Sequence, residues 1–245
     1  MGLTLTFLGS GDAFGSGGRL QTCMLLESDG RRWLLDCGAT SLVALRRAGV
    51  DPATIDAILI SHLHGDHCGG MQFVLLDGQF RRGARPLVVA GPPGVEARVA
   101  AALEALFPGA TGVPRRFETT FVEWRERETT DVAGVSVTAY PVVHPSGAPP
   151  FALRLQASGR TLVYSGDTEW TDVLTEAARG ADLFVCEAYT FEKKIRFHLD
   201  WATLAVHRAA LGCRRLIVTH MSDDMLARVP GLDVEAARDG LTLEV

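Results

Sequence analysis

Residues 61–70, SHLHGDHCGG, limit the folds open to this chain more than any other segment, because they crowd metal-binding side chains behind an apolar run. Three histidines and one aspartate fall within six positions, and they are His62, His64, Asp66 and His67. Side chains two residues apart in an extended segment point to the same side, so the first two histidines address one point. A glycine then turns the chain, and the other two residues address a second point nearby. This spacing predicts ligands for two divalent cations, Zn²⁺ first, with Mn²⁺, Fe²⁺ or Co²⁺ as alternatives.

Five apolar runs each end at a side chain suited to metal binding or to acid–base chemistry. The runs are AILIS, TAYPVV, TLVYSG, LFVC and RLIVT. The residues that follow them are His62, His144, Asp167, Glu187 and His220. Side chains at the carboxyl ends of strands in α/β proteins converge on one rim, where ligands bind. We therefore expect these five residues to meet at one site.

Short β-rich runs alternate with helical patterns along the chain, which indicates a mixed α/β (α+β) fold. Helices are predicted at residues 40–49, 69–80, 94–107, 171–180 and 201–212. The segment FALRLQASGRTLVYSGD reads as two alternating runs joined by Ser158, Gly159 and Arg160, a hairpin that implies antiparallel pairing. No repeat or low-complexity linker divides the chain, so residues 1–245 are predicted to form a single domain.

Charge and composition exclude several classes of function. The formal net charge is −5, whereas a protein that binds long nucleic acid needs a concentrated basic surface. No apolar stretch approaches the roughly 18 residues of a membrane-spanning helix, so we expect no membrane association. The five cysteines include no CxxC pair, which indicates a reducing, cytoplasmic environment. Cys68 lies beside the histidines, but they already supply enough donors without a thiolate.

The histidine segment is similar to the HxHxDHxxG signature of the metallo-β-lactamase superfamily. The later motifs VVH, SGD and VTH, which end at His144, Asp167 and His220, fall in that family's order. The resemblance covers almost the whole chain, from TFLGSGDAFGSGGRLQTCMLLE through LLDCG to DGLTLEV. It is most specific for the branch that holds ribonuclease Z and the small cyclic phosphodiesterases, because ADLFVCEAYTFE followed by FHLDWATLAVHRA resembles the Glu and His motifs of that branch.

The resemblance implies a four-layer αββα sandwich with two divalent metal ions at one edge. The ligands that it implies for the first ion are His62, His64 and His144. Those for the second ion are Asp66, His67 and His220. Asp167 would bridge the two ions. Relatives in this branch are commonly dimers, so a homodimer is expected.

The same resemblance implies which residues act in catalysis. Two cations would ionise a shared water as the nucleophile, and the departing alkoxide would still need a proton. His198 matches the acid/base histidine of the branch and is the candidate general acid, oriented by Glu187. Asp66 is the candidate to hold the nucleophilic water, and Asp36 the candidate to steady a ligand imidazole. His207, inside a helical pattern, is interpreted as a surface residue.

These features favour a dinuclear metal-dependent hydrolase that acts on a small phosphodiester, such as a cyclic nucleotide or a cyclic sugar phosphate. Ribonuclease Z enzymes insert a long tRNA-binding arm between the motifs that match His144 and Asp167. Only 22 residues lie between these positions here, so processing of transfer RNA is disfavoured.

Three alternatives remain beside the phosphodiesterase. The first is hydrolysis of a carboxylic or sulfuric ester, a lactone or a thioester by the same fold and metals. The second, a metal-stabilised scaffold without activity, is disfavoured because no ligand is missing. The third is a di-iron oxidoreductase. It is disfavoured because, in the oxidoreductases that share this resemblance, a glutamate would stand in the place of His64.

Overall fold

The computed structural model describes residues 2–81 and 85–245. In chain order, the strands of these residues are β1 (Thr4–Gly9), β2 (Cys23–Ser28), β3 (Arg31–Leu35), β4 (Ala57–Leu59), β5 (Leu87–Gly91), β6 (Thr119–Glu123), β7 (Thr129–Val132), β8 (Val135–Pro141), β9 (Phe151–Ala157), β10 (Arg160–Tyr164), β11 (Leu183–Glu187), β12 (Arg215–Thr219), β13 (Glu235–Ala236) and β14 (Thr242–Glu244). The α-helices of the same ranges are α1 (Ser41–Arg47), α2 (Gly65–Cys68), α3 (Met71–Phe80), α4 (Val95–Leu106), α5 (Val173–Ala178), α6 (Trp201–His207) and α7 (Asp223–Arg228). All five predicted helices are present.

Each of the two sheets is antiparallel in one half and parallel in the other. The first sheet has the order β14-β1-β2-β3-β4-β5-β6 and is parallel from β3 to β6. The second sheet has the order β13-β12-β11-β10-β9-β8-β7 and is parallel from β10 to β13. Neighbouring parallel strands end at the same edge of a sheet, so β4, β10, β11 and β12 deliver the residues that follow them to the edge where ligands bind.

The predicted hairpin between β9 and β10 turns at two residues. Ser158 and Gly159 have φ angles of 49° and 74°. A two-residue hairpin turn whose twist matches that of its strands requires a positive φ at both residues. Arg160 pairs with Ala157 and belongs to β10, so its predicted place in the turn is wrong, whereas the antiparallel pairing is confirmed.

Apolar side chains form an inner layer between the sheets and a layer outside each sheet. The inner layer joins Phe7 and Trp33 of the first sheet to Val137 and Val185 of the second. Helices α1, α3 and α4 pack on the outer face of the first sheet, and α5, α6 and α7 pack on that of the second. Each fully buried large apolar side chain contributes about 1.5–3 kcal/mol. This arrangement is the predicted αββα sandwich.

The helices of this fold are short. The longest, α4, has 12 residues. Within residues 2–81 and 85–245, no helix is long and apolar enough to cross a membrane.

Candidate metal centre

The predicted ligands all lie just beyond the carboxyl ends of strands. β4 of the first sheet is followed by His62, His64 and the single turn of α2, which carries Asp66 and His67. The second sheet supplies the other three ligands from the ends of β8, β10 and β12, and they are His144, Asp167 and His220. The site therefore lies where the edges of the two sheets meet.

Three histidines form the first half of the site. Donor atoms of His62, His64 and His144 all lie within 4.8 Å of one another. His64 Nδ1 and His144 Nε2 are 2.9 Å apart. Three nitrogen donors at this separation can share one cation, because a tetrahedral zinc site places its nitrogens about 2 Å from the metal.

The second half of the site combines two carboxylates with two imidazoles. Donor atoms of Asp66, His67, Asp167 and His220 also lie within 4.8 Å of one another. Asp167 Oδ1 is 3.3 Å from His67 Nε2, and its Oδ2 is 3.8 Å from His62 Nε2. The Asp167 carboxylate therefore lies between the two halves, in the place that a bridging ligand requires.

Contacts outside the site hold the imidazoles in fixed orientations. His67 Nδ1 is 2.7 Å from Asp36 Oδ2, and His62 Nδ1 is 3.0 Å from Ser61 Oγ. His144 donates from Nδ1 to the carbonyl oxygen of Phe197 at 2.8 Å. In all three histidines Nε2 is left for the site, which is the usual support of a metal-binding imidazole.

Close backbone approaches bring α2 against the segment after β3. A Cβ atom at Gly38 would lie 2.3 Å from the carbonyl oxygen of Asp66, so only glycine fits there. Asp36 and His220 have φ angles of 57° and 56°, a left-handed conformation that is strained for residues with a side chain. Both of these strained residues face the site.

The carboxylates of the site need positively charged groups close to them. Burial lowers the pKa of His67, but Asp167, Asp66 and Asp36 outweigh burial and raise it well above its usual value. For His220, burial is outweighed by Asp167 and Asp66, and the pKa is about 10. The carboxylates thus hold protons on these imidazoles, and a divalent cation would supply the same positive charge.

The donor atoms fit a pair of divalent cations. Within the described ranges, His62 Nε2 is buried and has no hydrogen-bond partner. Buried polar atoms without a partner are costly and call for a bound group. Imidazole nitrogens with carboxylate oxygens and no thiolate suit Zn²⁺, Mn²⁺ or Fe²⁺.

A second pair of side chains lies next to the carboxylate of Asp167. His198 Nδ1 is 2.5 Å from Glu187 Oε1 and 3.9 Å from Asp167 Oδ2. Glu187 is fully buried, and its Oε2 accepts hydrogen bonds from the backbone of Thr168 and Leu199. Burial lowers the pKa of His198, but the hydrogen bond with Glu187 outweighs it and raises the pKa above its ordinary value. His198 can therefore carry a proton beside the site.

Two residues beside the candidate ligands were considered in the sequence. Burial raises the pKa of the Cys68 thiol to about 11. His207 is not a simple surface residue, because its half-buried ring stacks on Trp170 with centroids 3.9 Å apart.

Sequence reasoning missed Tyr189. Its ring centroid lies 4.8 Å from that of His198 and 6.0 Å from that of His220. The one available signal was its position two residues after Glu187, at the end of a buried strand.

Replacing Asp36 is expected to weaken metal binding without removing any ligand. In Asp36→Asn, His67 Nδ1 loses a carboxylate acceptor that is 2.7 Å away. We expect affinity for Zn²⁺ to fall by about 10–100-fold, the usual effect of losing such a partner. Competition with a chromogenic chelator measures this change. Asp56→Asn is the matched control, because Asp56 is also buried but lies before β4, at the opposite end from the ligands. Unchanged affinity in Asp36→Asn would contradict this role.

Comparison with known proteins agrees with the fold and the site. The model of the Anti-Pycsar protein Apyc1 family matches residues 3–231. Ribonuclease Z of Shouchella clausii is 30% identical over 279 aligned positions, which cover 90% of this chain and 87% of that protein. This alignment is longer than the 245 residues of the chain, so the relative contains segments that this chain lacks.

Two solved structures share the fold over nearly their whole length. The metallo-β-lactamase fold protein YhfI from Bacillus subtilis superimposes with a TM-score of 0.79 at 19% identity and covers 99% of each chain. A diphosphatase from the PhnP family superimposes with a TM-score of 0.77 at 23% identity and covers 99% of this chain and 98% of its own. At these identities they show the fold alone. The family match and the ribonuclease Z relative go further: the chain belongs to the Anti-Pycsar protein Apyc1 family, and it is a ribonuclease Z-like, metal-dependent hydrolase of the metallo-β-lactamase superfamily.

Proposed function

We propose that this chain is a dinuclear phosphodiesterase that acts on a small, cyclic phosphodiester. The observation that carries this proposal is the His198–Glu187 pair, with His198 Nδ1 3.9 Å from the carboxylate of Asp167. A phosphodiester with an alkoxide leaving group needs a proton donor next to its metal ions, and His198 lies there. We assign His62, His64 and His144 to one cation, Asp66, His67 and His220 to the other, and Asp167 to both.

Two divalent cations, Zn²⁺ in our assignment, would lower the pKa of a water molecule and offset the negative charge of phosphate oxygens. Side chains of the protein supply the general acid and position the reacting groups. Glu187 keeps Nδ1 of His198 engaged, so Nε2 is the nitrogen left to donate a proton to the leaving oxygen. General acids placed in this way contribute about 10²–10⁴-fold to the rate.

Asp66 is assigned to orient the attacking water. Burial would raise its pKa, but His67 and His220 hold it well below the usual value, so the group is a carboxylate. Its Oδ2 lies 3.2 Å from His220 Nε2 and 3.3 Å from His67 Nε2. A carboxylate has two oxygens that accept hydrogen bonds, so Asp66 can address the cation and a water together.

The short connection between β8 and β9 supports a small substrate. Residues 142–150 join these strands and include His144, which leaves no room for an inserted domain. The net charge of −5 does not favour binding of long nucleic acid. The names ribonuclease and diphosphatase, carried by a relative and a structural neighbour, both describe hydrolysis at phosphorus.

A substrate panel on protein of measured metal content tests the proposal. We expect hydrolysis of bis(p-nitrophenyl) phosphate and of 2′,3′-cyclic nucleotides, because the general acid and the cationic centre suit a phosphodiester. Lactones, thioesters, carboxylic esters and aryl sulfates, assayed in parallel, should react more slowly. A metal-loaded preparation that cleaves one of these esters but no phosphodiester would overturn the proposal.

A further inference from the structure

The bond to Glu187 fixes one atom of the His198 ring but not the plane of the ring. His198 lies in the segment between β11 and α6, outside any helix or strand, and its side chain is 22% exposed. One hydrogen bond at Nδ1 leaves the imidazole free to tilt, and a tilt moves Nε2. A proton donor must lie within hydrogen-bond reach of the leaving oxygen, so a further contact has to fix the plane.

Three rings flank the imidazole of His198. The ring of His220, which we assign to a cation, stacks on it with centroids 6.0 Å apart and an interplanar angle of 7°. The ring of His144 is 4.8 Å away between centroids, at an interplanar angle of 74°. The ring of Tyr189 is also 4.8 Å away, at 37°. His144 is already committed to a cation and to the carbonyl oxygen of Phe197. Tyr189 is thus a flanking ring with no assigned part in metal binding.

Backbone contacts place Tyr189 in register with His198. The backbone N–H of Tyr189 donates to the carbonyl oxygen of Leu199, the residue after His198, at 2.8 Å. The carbonyl oxygen of Tyr189 accepts from the backbone of Ser222, also at 2.8 Å. An isolated bridge then joins Thr190 to Asp200. These contacts tie the backbone of Tyr189 to segments that border the site, so the base of its side chain is held beside the segment that carries the imidazole.

We propose that Tyr189 is a positioning residue, whose ring holds the imidazole of His198 in the plane from which Nε2 reaches the leaving oxygen. This inference rests on the proposed function, because it acts through the general acid. It requires the aromatic ring of Tyr189 and does not require the hydroxyl.

The dependence of the rate on the leaving group separates this role from general damage to the site. A 2′,3′-cyclic nucleotide expels a ribose alkoxide that needs a proton, whereas p-nitrophenolate departs without one. In Tyr189→Ala we expect kcat for the cyclic nucleotide to fall by about 10-fold to 10²-fold, the cost of a misplaced catalytic group. KM for the cyclic nucleotide and kcat for bis(p-nitrophenyl) phosphate should stay near the values of the unchanged protein. Damage to the metal centre would slow both substrates alike.

Tyr189→Phe and Tyr140→Ala are the matched variants. Tyr189→Phe keeps the ring and should restore turnover of the cyclic nucleotide. Tyr140→Ala also removes a half-buried tyrosine ring, but this ring is on β8 beside Arg127, and its loss should change neither activity. The crystal structure of metal-loaded Tyr189→Ala tests the same role without an activity assay. We expect full metal content and more than one orientation of the His198 ring.

The outcome for His198→Ala distinguishes the two proposals. If His198→Ala slows the cyclic nucleotide selectively and Tyr189→Ala does not, the positioning role is overturned and the proposed function stands. If His198→Ala shows no selectivity between the leaving groups, the general acid is overturned, and the role of Tyr189 falls with it. Equal losses on both substrates in Tyr189→Ala would also overturn the positioning role.

Discussion

Dialysis against a strong chelator is expected to abolish phosphodiester hydrolysis, and addition of Zn²⁺ is expected to restore it. Without cations, protons on imidazoles such as His67 and His220, whose pKa values are raised, are what offsets the charge of Asp66 and Asp167. No side chain of this cluster can then lower the pKa of water to the degree that a divalent ion can. Turnover and metal content, measured on the same samples, should fall and recover together. Full turnover at less than about one ion per ten chains would contradict the dinuclear centre.

Metal removal should also lower thermal stability. A ligand at about 1,000 times its Kd stabilises the folded state by about 4 kcal/mol. For a domain of this size each kcal/mol shifts Tm by about 2–4 °C, so the stripped protein should melt on the order of 10 °C lower. Calorimetry with and without Zn²⁺ measures the shift, and an unchanged Tm would show that the cations do not bind the folded site tightly.

His198→Ala is expected to lower kcat for 2′,3′-cyclic nucleotides by about 10²–10⁴-fold. Nε2 of His198 is the proton donor in our assignment, and the substitution removes the imidazole that Glu187 Oε1 contacts at 2.5 Å. The loss on bis(p-nitrophenyl) phosphate should be much smaller, because its leaving group is stable as an anion. Steady-state kinetics on both substrates with fully loaded protein measures the difference.

Metal content decides between two roles for His198. Its ring nitrogen also lies within 4.8 Å of donor atoms in Asp167, Glu187 and His220, a geometry that a metal ligand would share. We expect His198→Ala to keep both ions, and a loss of one ion would reassign the residue as a ligand. His207→Ala is the matched control, since its ring stacks on Trp170 and should affect neither turnover nor metal content.

The grouping of the candidate ligands could be predicted because two independent signals agree. The first is the local histidine segment, whose spacing does not depend on the rest of the chain. The second is the polar residue that ends each apolar run, since parallel strands such as β10, β11 and β12 deliver these residues to one edge. Both signals are local in the sequence, and tertiary packing does not alter them.

The sequence carries no such periodic signal for β7 and α7. β7 is an edge strand, and Thr129–Val132 is polar and largely exposed, so hydrophobic alternation is weak there. Its turn into β8 contains Gly134, and in the structure Ala133 and Gly134 both have positive φ angles. α7 begins after Ser222 with Asp223 and Asp224 in its first turn, a pattern typical of a helix start that was overlooked.

Contacts that depend on the path of a loop could not be predicted. Tyr189 and His198 are nine residues apart within an irregular segment, and neither propensity nor periodicity indicates that their rings face each other. The stacking of His207 on Trp170 is of the same kind, because it joins α6 to a loop before α5.

Because β4 belongs to one sheet and β8, β10 and β12 belong to the other, the cations would join the two layers at this edge. Neither layer can assemble a complete coordination shell by itself. Slippage of one layer over the other by a few ångströms would break every coordination sphere at once. Loss of bound metal should therefore report the first separation of the layers during unfolding, before the strands within each layer come apart.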